Sequence, residues 1–578
     1  MNRPRDRLKA KSPSIGVLLD WIGDQYHAAV LRGIVETAEH AGVNLRCFVG
    51  GQLSPDPQAA GWHRVYELCN ARNVEGLVVL GNTLAHAVGT AGLARHCEGY
   101  RPLPLCTIGV RLPGFPSVTI DNEVGMRGVI HHAIREHGAR RIAFVRGPVA
   151  NAEAELRLAA YRTTLAEHGL PFDERLIAVG DFMSESGTDA LRTLADTPGA
   201  RLSEIDTIVA SNDAMAMGVL AGLEARQISV PGQIRVIGFD DVEDARLTQP
   251  PLTTVRQPLE RLGQEALRLA LEWMHHGTAP KELELATEPV IRRSCGCTRP
   301  SGRAGPSLGP ERSLGFEAAL LMKREHIILE LTRVARGSFA AAGADWADRL
   351  LNSLVADLRS PEPGGFVGSF DTLLERLVAR NVDLNLCDEV LSALRSKLVP
   401  LLRSDRARSE RAEDLFHICR LATSQAIQRG LMRERLYLGR WSLALNATSM
   451  SLAASSDRAE LEARVLGRLP QLGIRKFIVV AYDAGGDGAA RVLCGYEAGG
   501  VKLGVSPSFD RALLLPSGST ALDNGSLVVL PLIARERNLG HLLIDLDLRQ
   551  AFAYGAIAEA VSVGLHAVHW AAANSSAH

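Results

Sequence analysis

Asn212 and Asp213 stand side by side where an apolar, strand-type run, DTIVAS (206–211), gives way to the Ala- and Met-rich helical stretch AMAMG. Asn and Asp are good helix N-caps, because a side-chain oxygen can accept from a free N–H of the first turn. Open α/β sheets also bind ligands just beyond the carboxyl ends of their strands, so the position supports either role. Cys295-Gly-Cys297, in IRRSCGC, places two thiols one residue apart. They could form half of a metal site or a redox switch, but a full zinc site usually needs four ligands and no cysteine or histidine cluster lies close by. The reading is therefore a structural role, with no metal site. His131-His132 and His275-His276 fall in helical stretches, where consecutive side chains cannot share a face, and they read as surface residues. No GxSxG, P-loop, HExxH or kinase signature occurs, so no catalytic residue and no cofactor is expected, and an enzyme ranks last among the readings.

The elements that would position these residues follow a clear rhythm. IGVLL (15–19), LRCFV (45–49), GLVVL (76–80) and PLCTIGV (104–110) alternate with helical stretches at 26–41, 58–72, 83–96 and 123–137. The pattern then restarts with RIAFV (141–145), LIAVG (176–180), DTIVAS (206–211) and IRVIGF (234–239), separated by helical stretches at 153–168, 186–196 and 213–226. A helix at 258–275 and a strand at 283–291 close the region. Such alternation predicts parallel βαβ sheets covered by helices. The restart predicts two similar lobes able to close on a ligand by hinge motion.

Residues 298–313, TRPSGRAGPSLGPERS, form a linker by composition. Residues 314–440 are helical in pattern, broken at SPEPGGFVGS (360–369), and suit a signalling or dimerisation segment. From 441 to 572 strands return, as KFIVVAY (476–482), RVLCGY (491–496), SLVVLPLI (526–533) and LGHLLIDLDL (539–548), between helices near 457–469 and 550–572. This predicts an antiparallel α+β domain. GGDG (485–488) is similar to the GGDEF signature of diguanylate cyclases but lacks its Glu-Phe pair and reads as a hairpin turn.

At 578 residues the chain is too long for one core. Its 64 Lys+Arg balance 65 Asp+Glu, a net charge of −1 that advertises neither nucleic acid nor an acidic tail. The basic tail 1–13, MNRPRDRLKAKSP, reads as solvated, or as an arm able to touch phosphates. No signal peptide or membrane span is read, and the nine scattered cysteines suit a reducing compartment, so a cytoplasmic location is expected.

Residues 14–297 resemble the effector-binding domain of the lactose-repressor (LacI) family. The resemblance is carried by SIGVLL, VLRGIVETAEHAG, VEGLVVL, SVTIDNEVGMRGVIHHAIREHGARRIAFVRGP and ELRLAAYRTTLAEHGL. It is strongest in IVASNDAMAMGVLAGLEARQISVPGQIRVIGFDDVEDARLTQPPLTTVRQPLERLG. It implies a two-lobed, periplasmic-binding-protein-like (type I) fold and a cleft ligand, a sugar or a purine-like metabolite. It also implies ligand contacts. Asn212 and Asp213 would face the cleft, where an amide and a carboxylate suit a polyol. Asp240 would be a second strand-end acid, Arg157 a forked cation, and Gln257 would lie where the chain crosses between lobes. Asp24, Tyr26 and His27 would belong to the first loop, and Trp21 would stack on a sugar face or base. The first loop, DWIGDQYH, departs from the family's Asn-Pro-aromatic pattern.

The family's repressors begin with a helix-turn-helix. Only 13 residues precede the first strand here, so the expectation is a sensor without that DNA reader. The region 441–572 resembles a GAF domain in pattern. The combined expectation is a dimeric small-molecule sensor that passes lobe closure through the helical segment to the GAF-like module and a protein partner. A regulator that binds DNA directly is the alternative.

Overall fold

The computed structural model describes residues 12–297 and 316–575, apart from 57–58, 278–281, 336–337, 361–363, 381, 403–404, 484–487, 498–500 and 524. Residues 1–11 of the basic tail, the linker and most of GGDG lie outside the described residues.

The first lobe is built from β1 (Ser14–Leu19), α1 (Gln25–Ala41), β2 (Asn44–Val49), α2 (Ala60–Glu67), β3 (Gly76–Leu80), α3 (Gly81–Leu84), α4 (Gly89–Glu98), β4 (Leu105–Ile108) and β5 (Ser117–Ile120). The helix expected over 83–96 is two, α3 and α4, parted at Gly89, whose φ of +64° ends one direction and starts another. The chain then crosses into the second lobe. There α5 (Asn122–His137), β6 (Ile142–Arg146), α6 (Ala152–Glu167), β7 (Ile177–Val179), α7 (Ser184–Asp196), β8 (Thr207–Ala210), α8 (Asp213–Ala225) and β9 (Arg235–Ile237) give a parallel sheet of order β7-β6-β8-β9. β10 (Thr254–Arg256) leads back to α9 (Leu259–His276) on the first lobe. The strand expected at 283–291 divides. β11 (Leu283–Leu285) runs parallel to β5, and β12 (Glu288–Val290) runs antiparallel to β10. One run thus serves both lobes.

Local chemistry sets these elements. The Asp24 side chain caps α1 by accepting from the His27 N–H at 2.8 Å, and Gly42 closes the helix at φ +68°. α1 and α9 cross closely because each offers a glycine. A Cβ on Gly33 would stand 1.9 Å from the Glu260 carbonyl oxygen, and one on Gly263 would stand 2.1 Å from that of Val30.

Residues 301–443 form a separate compact unit by their contacts. They include α10 (Phe316–Val334), α11 (Trp346–Arg359), α12 (Gly365–Ala379), α13 (Asn385–Leu398) and most of α14 (Arg406–Ala453), with a core that includes Leu331, Leu351, Phe366, Phe370, Leu391 and Phe416. Among the described residues the elements of this unit are all helices. Asp357 caps the restart after the break by accepting from the N–H groups of Gly364, Gly365 and Phe366.

The C-terminal stretch departs from expectation. It contains α15 (Arg458–Arg468), β13 (Lys476–Tyr482), β14 (Ala489–Glu497), β15 (Val501–Leu503), β16 (Phe509–Asp510), β17 (Leu527–Ala534), β18 (Arg537–Asp545) and α16 (Tyr554–Ser575). Its antiparallel sheet, β15-β14-β13-β18-β17, is not the sheet of a detached domain. β17 runs parallel to β2, with Val528 opposite Cys47, so one sheet continues from β11 to β15. Residues 1–300 and 444–578 form one compact unit. The core between them is shared: Leu18, Phe48 and Tyr66 cluster with Ile478, Val529 and Leu543. The reason is that β2 would otherwise be an open edge with unpaired backbone groups. The stretch Leu548–His569 is long and apolar enough to cross a membrane by length and composition. It includes much of α16, where Tyr554, Ile557 and Val561 are fully buried and the Ser562 hydroxyl accepts from the Ile533 N–H of β17.

Candidate functional site: the cleft between the lobes

The carboxyl ends of the strands bring side chains from both lobes into contact. Asn82, two residues beyond β3, donates to the Tyr26 hydroxyl at 2.5 Å and to Glu153 Oε2 at 3.1 Å. Glu153 opens α6, so the second bond joins the lobes. Asn151, the N-cap of α6, donates to the Asn82 carbonyl at 2.8 Å and lies 3.1 Å from His86 Nδ1. The His86 ring meets Phe182, whose φ is +73°.

Arg157 is the centre of the second-lobe face. Its Nε donates to Asn122 Oδ1 at 2.8 Å and its Nη1 to the Ser211 carbonyl at 2.7 Å, while the guanidinium lies 3.9 Å from the centre of the Phe239 ring. Glu153 and Asp240 stand 3.8 and 3.9 Å from it. Gln257 donates to Asp240 Oδ1 at 2.5 Å from the crossing between β10 and α9. Burial pushes the Asp240 carboxyl well above the usual carboxylate range, against the pull of Arg157. Asp240 and Asp241 have φ of +128° and +59°, two successive residues in strained backbone. Such strain persists where surrounding structure holds it, commonly at ligand clamps. Here Asp241 is gripped by Arg256, at 2.6 Å, and by Arg292.

His27 makes a second cluster. Its Nε2 lies 2.9 Å from Asp20 and its Nδ1 2.6 Å from Asp24. Burial alone disfavours the imidazolium, yet the two carboxylates outweigh it and hold its pKa up to about 10. Asp20 is buried too, which by itself would raise its pKa, but His27 holds it down to about 2. A folded-state pKa above the ordinary 6.5 means that His27 stabilises the fold fully below pH 6.5 and loses that contribution as pH rises towards 10. The difference in unfolding free energy between the wild type and His27→Asn should accordingly shrink over that interval, measured by chemical denaturation at several pH values. A difference that stays constant would show that the ion triad does not form.

The ligand-binding candidates singled out in the sequence divide into three groups, with Trp21 apart from them. Tyr26, Arg157, Asp240 and Gln257 share one network, and Asp24 and His27 form the neighbouring one. Asn212 and Asp213 have local partners. Asn212 Oδ1 caps α8 by accepting from the Met215 N–H at 3.0 Å, and its Nδ2 donates to the Phe182 carbonyl at 2.9 Å. Asp213 is fully buried, accepting from the Thr254 hydroxyl at 2.5 Å and the Val242 N–H at 3.1 Å, and burial raises its pKa to about 7. It braces β10 against α8. Trp21, 49% exposed, turns towards the C-terminal stretch, where a Cβ on Gly555 would stand 3.5 Å from the indole. Asp20, Asn82, Asn122, Glu153 and Ser211 escape the sequence reading. Asn82, Asn122 and Ser211 each lie one or two residues past a strand end, a signal that could have found them. Cys295 and Cys297 lack partners in sequence, but the fold brings His132 and His137 to them. His132 is therefore no surface bystander. His131 turns instead to His168, 2.7 Å away, and His275 and His276 are exposed.

Three buried side-chain atoms around this cleft have no partner among the described residues: Asn82 Oδ1, Ser211 Oγ and Gln257 Oε1. A buried polar atom left unsatisfied costs about 1–3 kcal/mol, and these three belong to residues of the Arg157 network.

Two parallel-sheet lobes, three crossings and polar strand ends facing one another define a type I periplasmic-binding-protein-like fold. Residues 132–295 match the family described as a periplasmic binding protein-like domain. Among curated proteins, the chain is 34% identical over 228 residues to the HTH-type transcriptional regulator CelR of Thermobifida fusca, covering 39% of this chain and 64% of that protein. The chain thus spans somewhat less than two thirds of that relative's length. It is 27% identical over 296 residues to the HTH-type transcriptional repressor CytR of Escherichia coli K12, covering 50% of this chain and 81% of that one. It is 29% identical over 282 residues to the ribose operon repressor of the same organism, covering 48% and 80%. A solved CelR–cellobiose complex superposes over 49% of this chain and 85% of that one, with 27% identity and a TM-score of 0.43.

Proposed function

We propose that the chain is a sugar-responsive regulator that binds a hydroxyl-rich metabolite between its two lobes. The observation that carries this reading is the set of unpartnered buried atoms, Asn82 Oδ1, Ser211 Oγ and Gln257 Oε1, beside the Arg157–Asp240 pair. Together they offer acceptors, a hydroxyl and a forked cation, which match the donors and acceptors of a polyol. Asn212, Asp213, Tyr26, Asp24, His27 and Trp21 remain candidate contacts from the family resemblance. A relative named for the ribose operon supports the same class of effector.

Lobe closure would reach the C-terminal strands directly, since β1 and β2 belong to the first lobe and β17 pairs with β2. A GAF-like role for 441–572 is supported by its antiparallel sheet flanked by α15 and α16. Self-association is supported by exposed apolar residues along α14, among them Leu431, Met432, Leu436 and Leu443.

The test is a thermal-shift screen of the full chain against pentoses, hexoses, disaccharides, sugar phosphates and nucleosides. A ligand at 100 times its dissociation constant stabilises the folded state by about 2.7 kcal/mol. Asp240→Asn and Gln257→Leu should each abolish the shift while keeping the ligand-free melting temperature within a few degrees. A panel without any shift, or a shift intact in both variants, would overturn the reading. A second reading, direct DNA binding, is favoured by the relatives' names as HTH-type regulators. It requires affinity that falls steeply with salt, and no binding at low salt would remove it.

A further inference from the structure

Four ligand-type atoms meet at the far side of the second lobe, away from the cleft network. They belong to His132, His137, Cys295 and Cys297, and all lie within 4.8 Å of one another. His132 Nε2 is 3.4 Å from Cys295 Sγ and 3.5 Å from Cys297 Sγ, and His137 Nε2 is 3.4 Å from Cys297 Sγ. Zinc bonds of about 2.3 Å to sulfur and about 2.0–2.1 Å to nitrogen give a tetrahedral N···S edge of about 3.5 Å. The three separations are therefore those of a tetrahedron around one ion. Hydrogen bonding accounts for them less well, because a thiol is only a weak donor and its sulfur only a weak acceptor.

The backbone is built for this convergence. His132 and His137 have four residues between them, within the spacing of two-histidine zinc sites, and His137 ends α5 just before Gly138 at φ +66°. Gly296, between the thiols, has φ +106°, and a Cβ there would stand 3.2 Å from His137 Nδ1. A glycine at this position turns the chain so that both sulfurs face one point while the backbone lies against the imidazole. The neighbouring Ser294 is locked, its hydroxyl accepting from the Thr253 N–H at 2.7 Å and donating to the Val236 carbonyl at 2.6 Å. Both cysteines are free thiols.

We propose that His132, His137, Cys295 and Cys297 bind one structural zinc ion. With four protein ligands the site is closed and holds no open position for chemistry. It ties the end of α5 to the chain just before residue 298, where the sensor domain gives way to the linker. Binding displaces the thiol protons, so affinity rises with pH.

The experiment is metal analysis of the full chain, purified under reducing conditions and desalted into metal-free buffer. One zinc per chain is expected, falling to background in Cys297→Ser and in His132→Gln but unchanged in His131→Gln. Replacing zinc by Co²⁺ should give thiolate charge-transfer bands and intense tetrahedral d–d absorption. Zinc retained in both ligand variants overturns the proposal, as does wild-type protein that, reduced and offered Zn²⁺ or Co²⁺, binds neither. If a ligand variant fails to fold, the cobalt spectrum of the wild type decides alone.

Discussion

Cut after residue 300, the two-lobed region is expected to lose solubility or to collapse to a state that binds hydrophobic dyes and melts without a cooperative transition. The reason lies along β2. Asn44 donates to the Asp523 carbonyl at 3.2 Å and accepts from the Gly525 N–H at 3.1 Å, while the Leu45 N–H donates to the Ser526 hydroxyl at 3.1 Å. Arg46, among the largest fully buried side chains, donates to the Gly525 carbonyl at 2.7 Å and to that of Leu522. Removing the C-terminal stretch leaves that guanidinium with its own Leu45 carbonyl and opens a row of strand N–H and C=O groups. It also uncovers the core shared with Ile478, Val480, Val529 and Leu543. Each fully buried side chain of this size is worth about 1.5–3 kcal/mol, and a domain's net stability is only about 5–15 kcal/mol. Gel filtration, dye binding and calorimetry of residues 1–300 against the full chain would check this. A monodisperse fragment with a sharp melt would show that the shared sheet is dispensable. Val528→Asp is the point-variant counterpart: it should lower the melting of the two-lobed region and of the C-terminal strands together.

Arg157→Leu is expected to be the most damaging single change in the cleft. It removes the donors to Asn122 and to the Ser211 carbonyl, and the stacking on Phe239. It also leaves Glu153 and Asp240, both buried, beside one another without their cation. Breaking a buried ion pair by deleting one partner costs about 3–5 kcal/mol, whereas replacing the pair by apolar groups is often close to neutral. Arg157→Leu combined with Glu153→Leu should therefore recover part of the loss. Arg157→Lys should keep the charge and forfeit the fork. Native-state hydrogen exchange of β6 and β8 would read these differences within the second lobe. Equal protection in Arg157→Leu and wild type would show that the guanidinium does not hold the lobe together.

The sequence by itself determined the two-lobed region closely. Runs such as RIAFV and DTIVAS are locally apolar, β-rich and punctuated by helical stretches, and strands of that kind form wherever helices can cover them. Strand-end positions were legible for the same reason: Asn212 and Asp240 fall where a run stops. Their neighbours in space were not, because Tyr26, Asn82, Glu153 and Arg157 meet only once two sheets face each other. Local pattern also marked strands in 441–572, but not which edge they join. Edge pairing is made by backbone groups that every residue carries, and Asn44 and Gly525 are 481 positions apart. The same holds for Cys297 and His137, 160 positions apart. Each carries only half of the proposed coordination sphere along the chain, and the packing of α5 beside β10 and β12 brings the halves together.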